Sequence, residues 1–333
     1  MINTDILSSF FKKNVLVTGG TGLIGRQVVK ILCDSDAFVK VVSLDKIKID
    51  DRANYIYGDL RDFELCKELT DDMDFVFHIA GIGASVKATE NKIASHFVPM
   101  LMMNTNILEA CRINKVRKIV YTSSVGAYAH AEIFKESEYR LDTNPMDFGA
   151  WAKRMAEAQV YAYNIEHNLN NFSIVRPSNV YGPGDNFFPE NSLVIPSLLY
   201  RIYHKEDPLV VWGDGSSIRD FVYSEDVAEG IILALYYGTK SGFVNLGGGN
   251  PCTIKELVNT IGSFIDFTYI FDNSKPTGAI KRIMDLSLAK KIIYYEPSTE
   301  LREGLKKTWE WFIKHPNEHI KKINYFLSNN QKN

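Results

Sequence analysis

Cysteine is scarce in this chain. Four stand among 333 residues, Cys33, Cys66, Cys111 and Cys252, with no CxxC pair and no metal-like spacing. That excludes a disulfide-stapled scaffold, gives no reason to expect a bound metal, and suits a reducing, cytoplasmic setting. No sign of charge dominates either: 38 Lys+Arg face 40 Asp+Glu, a formal charge of −2. The broad basic face of a nucleic-acid partner is therefore not expected. No apolar run approaches the ~18 residues of a membrane span. Met1–Lys13 carries Asp5 ahead of its lysine pair and lacks the order of a signal peptide. Repeats and low-complexity tracts are missing too. What remains, 45% hydrophobic and 23% charged, reads as a globular protein with neither a nucleic-acid nor a membrane partner. Its length is large for one core and implies two lobes or one domain with a sizeable extension.

The first half alternates two patterns. Asn14–Thr18, Val39–Leu44, Tyr55–Tyr57, Phe75–Ile79, Lys118–Thr122 and Phe172–Val175 are short, β-branched and nearly continuous, as strands covered on both faces are. Between them, Gly22–Cys33, Phe63–Leu69, Ala94–Ile113 and Ala150–His167 carry helical periodicity. Strand–helix alternation at this spacing predicts an α/β fold with a Rossmann-type, doubly wound parallel sheet. After Arg176 the texture changes to proline- and glycine-rich loops with short elements, so residues 1–176 are read as the nucleotide-binding domain. Residues 177–330 are read as a smaller C-terminal α/β substrate lobe, with some segments returning to the first sheet. The polar stretch Asn317–Asn333 reads as a fraying helix.

The strand at Val15–Thr18 runs into Gly19-Gly20-Thr21-Gly22-Leu23-Ile24-Gly25 and then an amphipathic helix. Glycines in this strand–turn–helix setting let the backbone approach a pyrophosphate, while the helix N-terminus offers N–H groups and a positive dipole end. Asp45 closes the second apolar run, where an acidic side chain accepts from adenosine ribose hydroxyls and repels a 2′-phosphate. NAD is the cofactor expected.

Further motifs follow in order: GDLRD (58–62), HIAG (78–81), YTSSVGAY (121–128), AKRMAE (152–157), VRPSNVYGPGDN (175–186), VWGDGSSIRDFVYSEDVA (211–228) and KRIMDLS (281–287). With TGGTGLIG (18–25) they resemble the extended short-chain dehydrogenase/reductases of the nucleotide-sugar epimerase/dehydratase group, and loop 182–201 is most similar to the GDP-fucose-synthase type. The resemblance implies NAD-dependent hydride chemistry on a GDP-, UDP- or dTDP-hexose in polysaccharide biosynthesis. On the cofactor side it implies that Gly19, Gly22, Leu23, Ile24 and Gly25 hold the pyrophosphate and that Asp59 and Leu60 contact adenine. Ala80 and Gly81 would lie beside the ribose, and Lys153 would hold the nicotinamide ribose. On the substrate side it implies that Ser124 fixes the reacting hydroxyl. Asn179, Val194, Arg201, Trp212, Arg219 and Arg282 would contact the nucleotide and diphosphate, for which a guanidinium fork is suited.

One departure matters most. The group's signature is Tyr-x-x-x-Lys, yet counting back from Lys153 lands on Gly149. Ser124 through water, Lys153 itself, Tyr128 or Tyr139 are candidate replacements for the missing proton acceptor, and replacing Gly149 with Tyr is expected to raise turnover. A 4,6-dehydratase would carry acid and base where Val125 and Gly126 stand. The fucose-synthase pair would put Cys at Gly126 and His at Leu193. The chemistry expected is thus 4-epimerisation or C4 oxidoreduction, with Ser124 and Lys153 as catalytic residues. The alternatives are an impaired or regulatory binding protein and a dehydratase with atypical acid/base residues. Phe97–Ile113 is apolar almost all round, and Trp151, Tyr161 and Tyr163 lie on differing faces of the next long helix, so a homodimer through these two helices is expected.

Overall fold

A computed structural model of the chain describes residues 2–83, 92–188, 190–240, 242–275 and 277–323. Seven strands form its central sheet: β1 (Asn14–Thr18), β2 (Phe38–Ser43), β3 (Asn54–Tyr57), β4 (Phe75–His78), β5 (Lys118–Thr122), β6 (Phe172–Pro177) and β7 (Phe243–Leu246). Their spatial order is β7-β6-β5-β4-β1-β2-β3, parallel throughout. The order reverses between β1 and β4, which opens a crevice at the carboxyl ends of those two strands.

The strand side chains alternate between two cores. Val15, Val17, Val41, Phe77 and Val120 face α1 (Gly25–Asp34) together with a helix at Ser224–Tyr237 from beyond Arg176. Leu16, Val76, Ile119 and Tyr121 face α2 (Phe63–Thr70), α3 (Ile93–Ile113) and α4 (Phe148–His167). Each fully buried Val, Leu or Ile contributes roughly 1.5–3 kcal/mol, so both layers hold the sheet rigid beneath the crevice. The helix Ser224–Tyr237 packs on this sheet and β7 joins its edge, both from beyond Arg176. In exchange, Ile133–Phe134 leaves the first half and pairs with Lys281–Met284 in a four-stranded sheet that also holds Ile218–Arg219 and Cys252–Thr253. Phe187, Ile195, Leu198, Leu199, Leu305 and Phe312 belong to a separate hydrophobic core.

The tail differs from the fraying helix expected of it. As far as Ile323 it is packed down: Glu318 pairs with the nearly buried Arg26 on α1, and Trp311 lies against the same guanidinium. Residues 324–333 lie outside the described part of the chain.

Candidate active site

A cavity of about 580 Å³ occupies the crevice. Its walls include the segments that follow β1, β2, β4 and β5, so four strand ends converge on one space. Every residue expected on the cofactor side lines it: Gly19, Gly22, Leu23, Ile24, Gly25, Asp45, Asp59, Leu60, Ala80, Gly81 and Lys153. Ser124 does as well.

The glycine loop is a cradle that side chains would fill. Gly19 has φ +68° and its Cβ would meet Ala80 Cα at 2.7 Å, while a Cβ on Gly25 would stand 2.2 Å from Gly19 O. Helix α1 then starts with no side-chain cap, and its Arg26 and Gln27 N–H groups turn back to Gly22 O and Ile24 O. Asp45 stands at the end of β2. Its Oδ2 accepts from Thr21 Oγ1 at 3.0 Å and its Oδ1 from the Ile323 N–H at 2.8 Å. A carboxylate has lone pairs for more donors than these two, so hydroxyl groups of a ribose fit beside them. Lys322 lies next to this corner and donates to Gly184 O at 2.6 Å; burial pulls its ammonium down to about 8. Neither Lys322 nor Ile323 was foreseen from sequence, where the tail carries no motif.

At the opposite end, Ser124 follows β5 and its Oγ accepts from the Gly126 N–H at 3.1 Å. Lys153 is buried on the first turns of α4 and donates to Thr122 O at 2.7 Å. Burial lowers its pKa to about 8, against the nearby Glu157. Glu157 is itself held by Arg176 and Ser123 in a buried network under the cavity floor. Gly126 and Leu193 line the cavity and carry no titratable group.

Gly149 also lines the cavity, and its surroundings bear on the gain expected from a tyrosine there. A Cβ there would lie 2.3 Å from His96 Cε1. A tyrosine at this position therefore enters only if the His96 ring moves aside. His96 comes from α3, is 9% exposed, and its Nε2 lies 2.8 Å from Ile82 O. Sequence reading missed it because a lone histidine inside the apolar run HFVPMLMM reads as core.

Apart from Ser124, the residues expected on the substrate side, Asn179, Val194, Arg201, Trp212, Arg219 and Arg282, are not in this cavity's lining. Arg219 and Arg282 are register partners on adjacent parallel strands, both half-buried, and burial together with Arg282 lowers the Arg219 guanidinium. Two cations side by side suit a diphosphate. Asn179 donates to Asp220 O at 3.0 Å. Trp212 is exposed at the end of its strand, and Val194 opens the helix Val194–Tyr203. Arg201 is held by Glu206 and by Val210 O. Among the described residues no group of three His, Cys, Asp or Glu could hold a metal ion, and no helix is long and apolar enough to cross a membrane.

The sequence profile of the NAD dependent epimerase/dehydratase family matches residues 15–247. A probable GDP-L-fucose synthase 1 from Oryza sativa subsp. japonica is 29% identical over 315 residues, covering 90% of this chain and 92% of the relative. A putative UDP-glucose 4-epimerase from Methanocaldococcus jannaschii is 28% identical over 306 residues, covering 89% and 97%. Among solved structures, the UDP-glucose 4-epimerase of Thermotoga maritima, determined with UDP-glucose, superposes with a TM-score of 0.80 at 27% identity, over 91% of this chain and 99% of that one. With more than half its length matched by the family profile, the chain belongs to the NAD dependent epimerase/dehydratase family.

Proposed function

We propose that the chain is an NAD-dependent nucleotide-sugar 4-epimerase or C4 oxidoreductase acting on an NDP-hexose. The observation that carries this reading is the continuity of one cavity from the glycine cradle to Ser124 and Lys153. When bound, NAD supplies a site that accepts a hydride and can return it. The chain's own groups then have distinct tasks. The Gly19–Gly25 backbone and the α1 terminus hold the pyrophosphate, Asp59 and Leu60 flank adenine, and Ala80 and Gly81 wall the ribose. Asp45 accepts from ribose hydroxyls and disfavours a 2′-phosphate, so NAD is preferred over NADP. Ser124 positions the sugar hydroxyl. Lys153 turns its ammonium from Thr122 O toward a ribose. Arg219 and Arg282 meet the nucleotide diphosphate, with Asn179, Val194 and Trp212 around it, while Arg201 shapes that lobe through its ion pair. On this reading the chain divides near residue 176 into a nucleotide half and a sugar half.

The apolar positions Val98 and Met102 on α3 and Met155 and Ile165 on α4 are all at least 43% exposed. Tyr161 is exposed as well, whereas Trp151 and Tyr163 are half-buried. α3 and α4 pack against each other, so two copies meeting there would bury these positions. We read this as a homodimer surface.

A second reading, a binding protein without turnover, is favoured by the lack of a hydroxyl at Gly149. One experiment separates the two. Chain loaded with NAD is mixed with GDP-, UDP- and dTDP-hexoses, absorbance is followed at the NADH band, and the C4 configuration is read by NMR. Transient NADH or an inverted C4 supports the enzyme. Tight binding of both ligands with neither signal supports the binding protein.

A further inference from the structure

The glycine cradle carries no cation of its own, and several of its N–H groups are spent. Gly22 donates to Gly19 O, Arg26 to Gly22 O and Gln27 to Ile24 O. A diphosphate bound there gains from positive charge brought by another segment. Among the described residues, the Lys and Arg side chains lining the cavity are Arg61, Lys153 and Lys322. Arg61 pairs with Asp59, the acid expected at adenine, and Lys153 donates to Thr122 O at the β5 end. Lys322 remains, on a segment that no motif marks.

We propose that Lys322 is a ligand of the cofactor diphosphate, carried to the glycine cradle by the segment Glu318–Ile323. The inference rests on the reading of this cavity as an NAD site. Two anchors fix where the segment runs. At one, the Ile323 N–H donates to Asp45 Oδ1 at 2.8 Å, and Asp45 Oδ2 accepts from Thr21 Oγ1, inside the glycine loop, at 3.0 Å. At the other, Glu318 pairs with Arg26, the residue after Gly25. The Lys322 ammonium donates to Gly184 O at 2.6 Å, and a Cβ on Gly184 would stand 2.3 Å from Arg26 Cζ. With its backbone next to the Asp45 contact and its ammonium at Gly184, Lys322 joins a neighbour of Thr21 to a neighbour of Arg26. Those two residues bracket the cradle.

The charge on Lys322 is uncommitted. Gly184 O is a neutral partner, and among the described residues no carboxylate forms an ion pair with this lysine. The acids around it are engaged elsewhere: Glu318 holds Arg26, and Asp45 accepts from Thr21 and Ile323. Asp185 Oδ1 accepts from the Asn186 N–H at 2.7 Å, and burial pushes its carboxyl up to about 7. Arg26 adds a like charge, so that burial and Arg26 together bring the Lys322 ammonium down to about 8. An ammonium has three donors and one is used here. Phosphate oxygens can take the others while the Gly184 bond stays. Asp45 keeps lone pairs for ribose hydroxyls, so the segment adds to the cofactor site without closing it.

Lys322→Met tests the assignment through calorimetric titration with NAD, NADP and ADP. All three are expected to bind roughly 10–100-fold more weakly, the range for a hydrogen bond to a charged group. Lys322→Arg keeps the charge and is expected nearer the parent than Lys322→Met. Ile323→Pro removes the N–H that holds the segment on Asp45. Lys322 already has φ −83° and ψ 148°, a backbone that a following proline accepts, and NAD affinity should fall by about threefold or more. A readout that a merely structural lysine would not move comes from NMR of ¹³Cε-labelled lysine. The titration midpoint of Lys322, which Arg26, Glu318, Asp45 and Asp185 face, is expected to rise by about one pH unit or more when ADP binds. Unchanged affinities in Lys322→Met, a loss confined to NADP, a midpoint that ADP does not move, or tighter NAD binding in Ile323→Pro would each overturn the role of Lys322, while binding of NAD by the parent keeps the cofactor reading. A parent that binds neither NAD nor NADP overturns the reading of the cavity itself, and Lys322 falls with it.

Discussion

Gly25 shows how sharply single residues decide this site. Its missing Cβ is the space that Gly19 O occupies, at 2.2 Å from where that carbon would be. Gly25→Ala must push the loop open, and isothermal titration should find NAD affinity lower by roughly tenfold or more; unchanged affinity would show that the loop does not hold the cofactor. Lys153 makes a prediction about pH. Its ammonium is held at about 8 by burial, against an ordinary value of 10.5. Between these two values the unfolded chain binds more protons than the folded one, so this residue makes stability rise with pH across that window. Below pH 8 both states are protonated and the full cost of burying the charge is present, on the order of 3 kcal/mol. Urea unfolding of the cofactor-free parent and Lys153→Met at pH 7.5 and pH 10 should therefore show a larger advantage for the variant at the lower pH. An advantage that does not change with pH would contradict the burial argument.

At the scale of elements, legibility followed the range of the forces. Asn14–Thr18 and Lys118–Thr122 are strands with the bounds their β-branched runs imply, because strands buried on both faces need continuous apolar side chains. Helix starts moved by a few residues: α1 begins at Gly25 rather than Gly22, since the loop itself takes the first glycines. Cofactor residues could be read because loop, strand end and acid are local in sequence. His96 could not, since only the packing of α3 on α4 brings it to Gly149. The Ile323 contact with Asp45 was equally hidden, because 278 positions separate the two residues in the sequence. The exposed faces of α3 and α4 carry a prediction of their own. Met102→Glu with Met155→Glu should leave the fold's circular dichroism unchanged and convert a dimer to a monomer in light scattering at micromolar concentration. A parent that is already monomeric there would contradict the dimer surface.

On the proposed reading, the parallel sheet presents its carboxyl ends to the cofactor, and Arg219 and Arg282, register partners on adjacent strands, would meet a diphosphate. Ser124 and Lys153 lie where the cofactor loop's cavity ends. Nothing in that arrangement supplies the acid and base positions of a dehydratase, since Val125 and Gly126 stand there, so the account rests on hydride moving to and from one sugar carbon. The direct test follows that hydrogen. NAD-loaded chain is incubated with GDP-, UDP- and dTDP-hexoses deuterated at C4, and the label is traced by NMR and mass spectrometry. Deuterium is expected either at C4 of the inverted sugar or in NADH. Deuterium lost to solvent, or left at an uninverted C4 with every nucleotide class although both ligands bind, would contradict it.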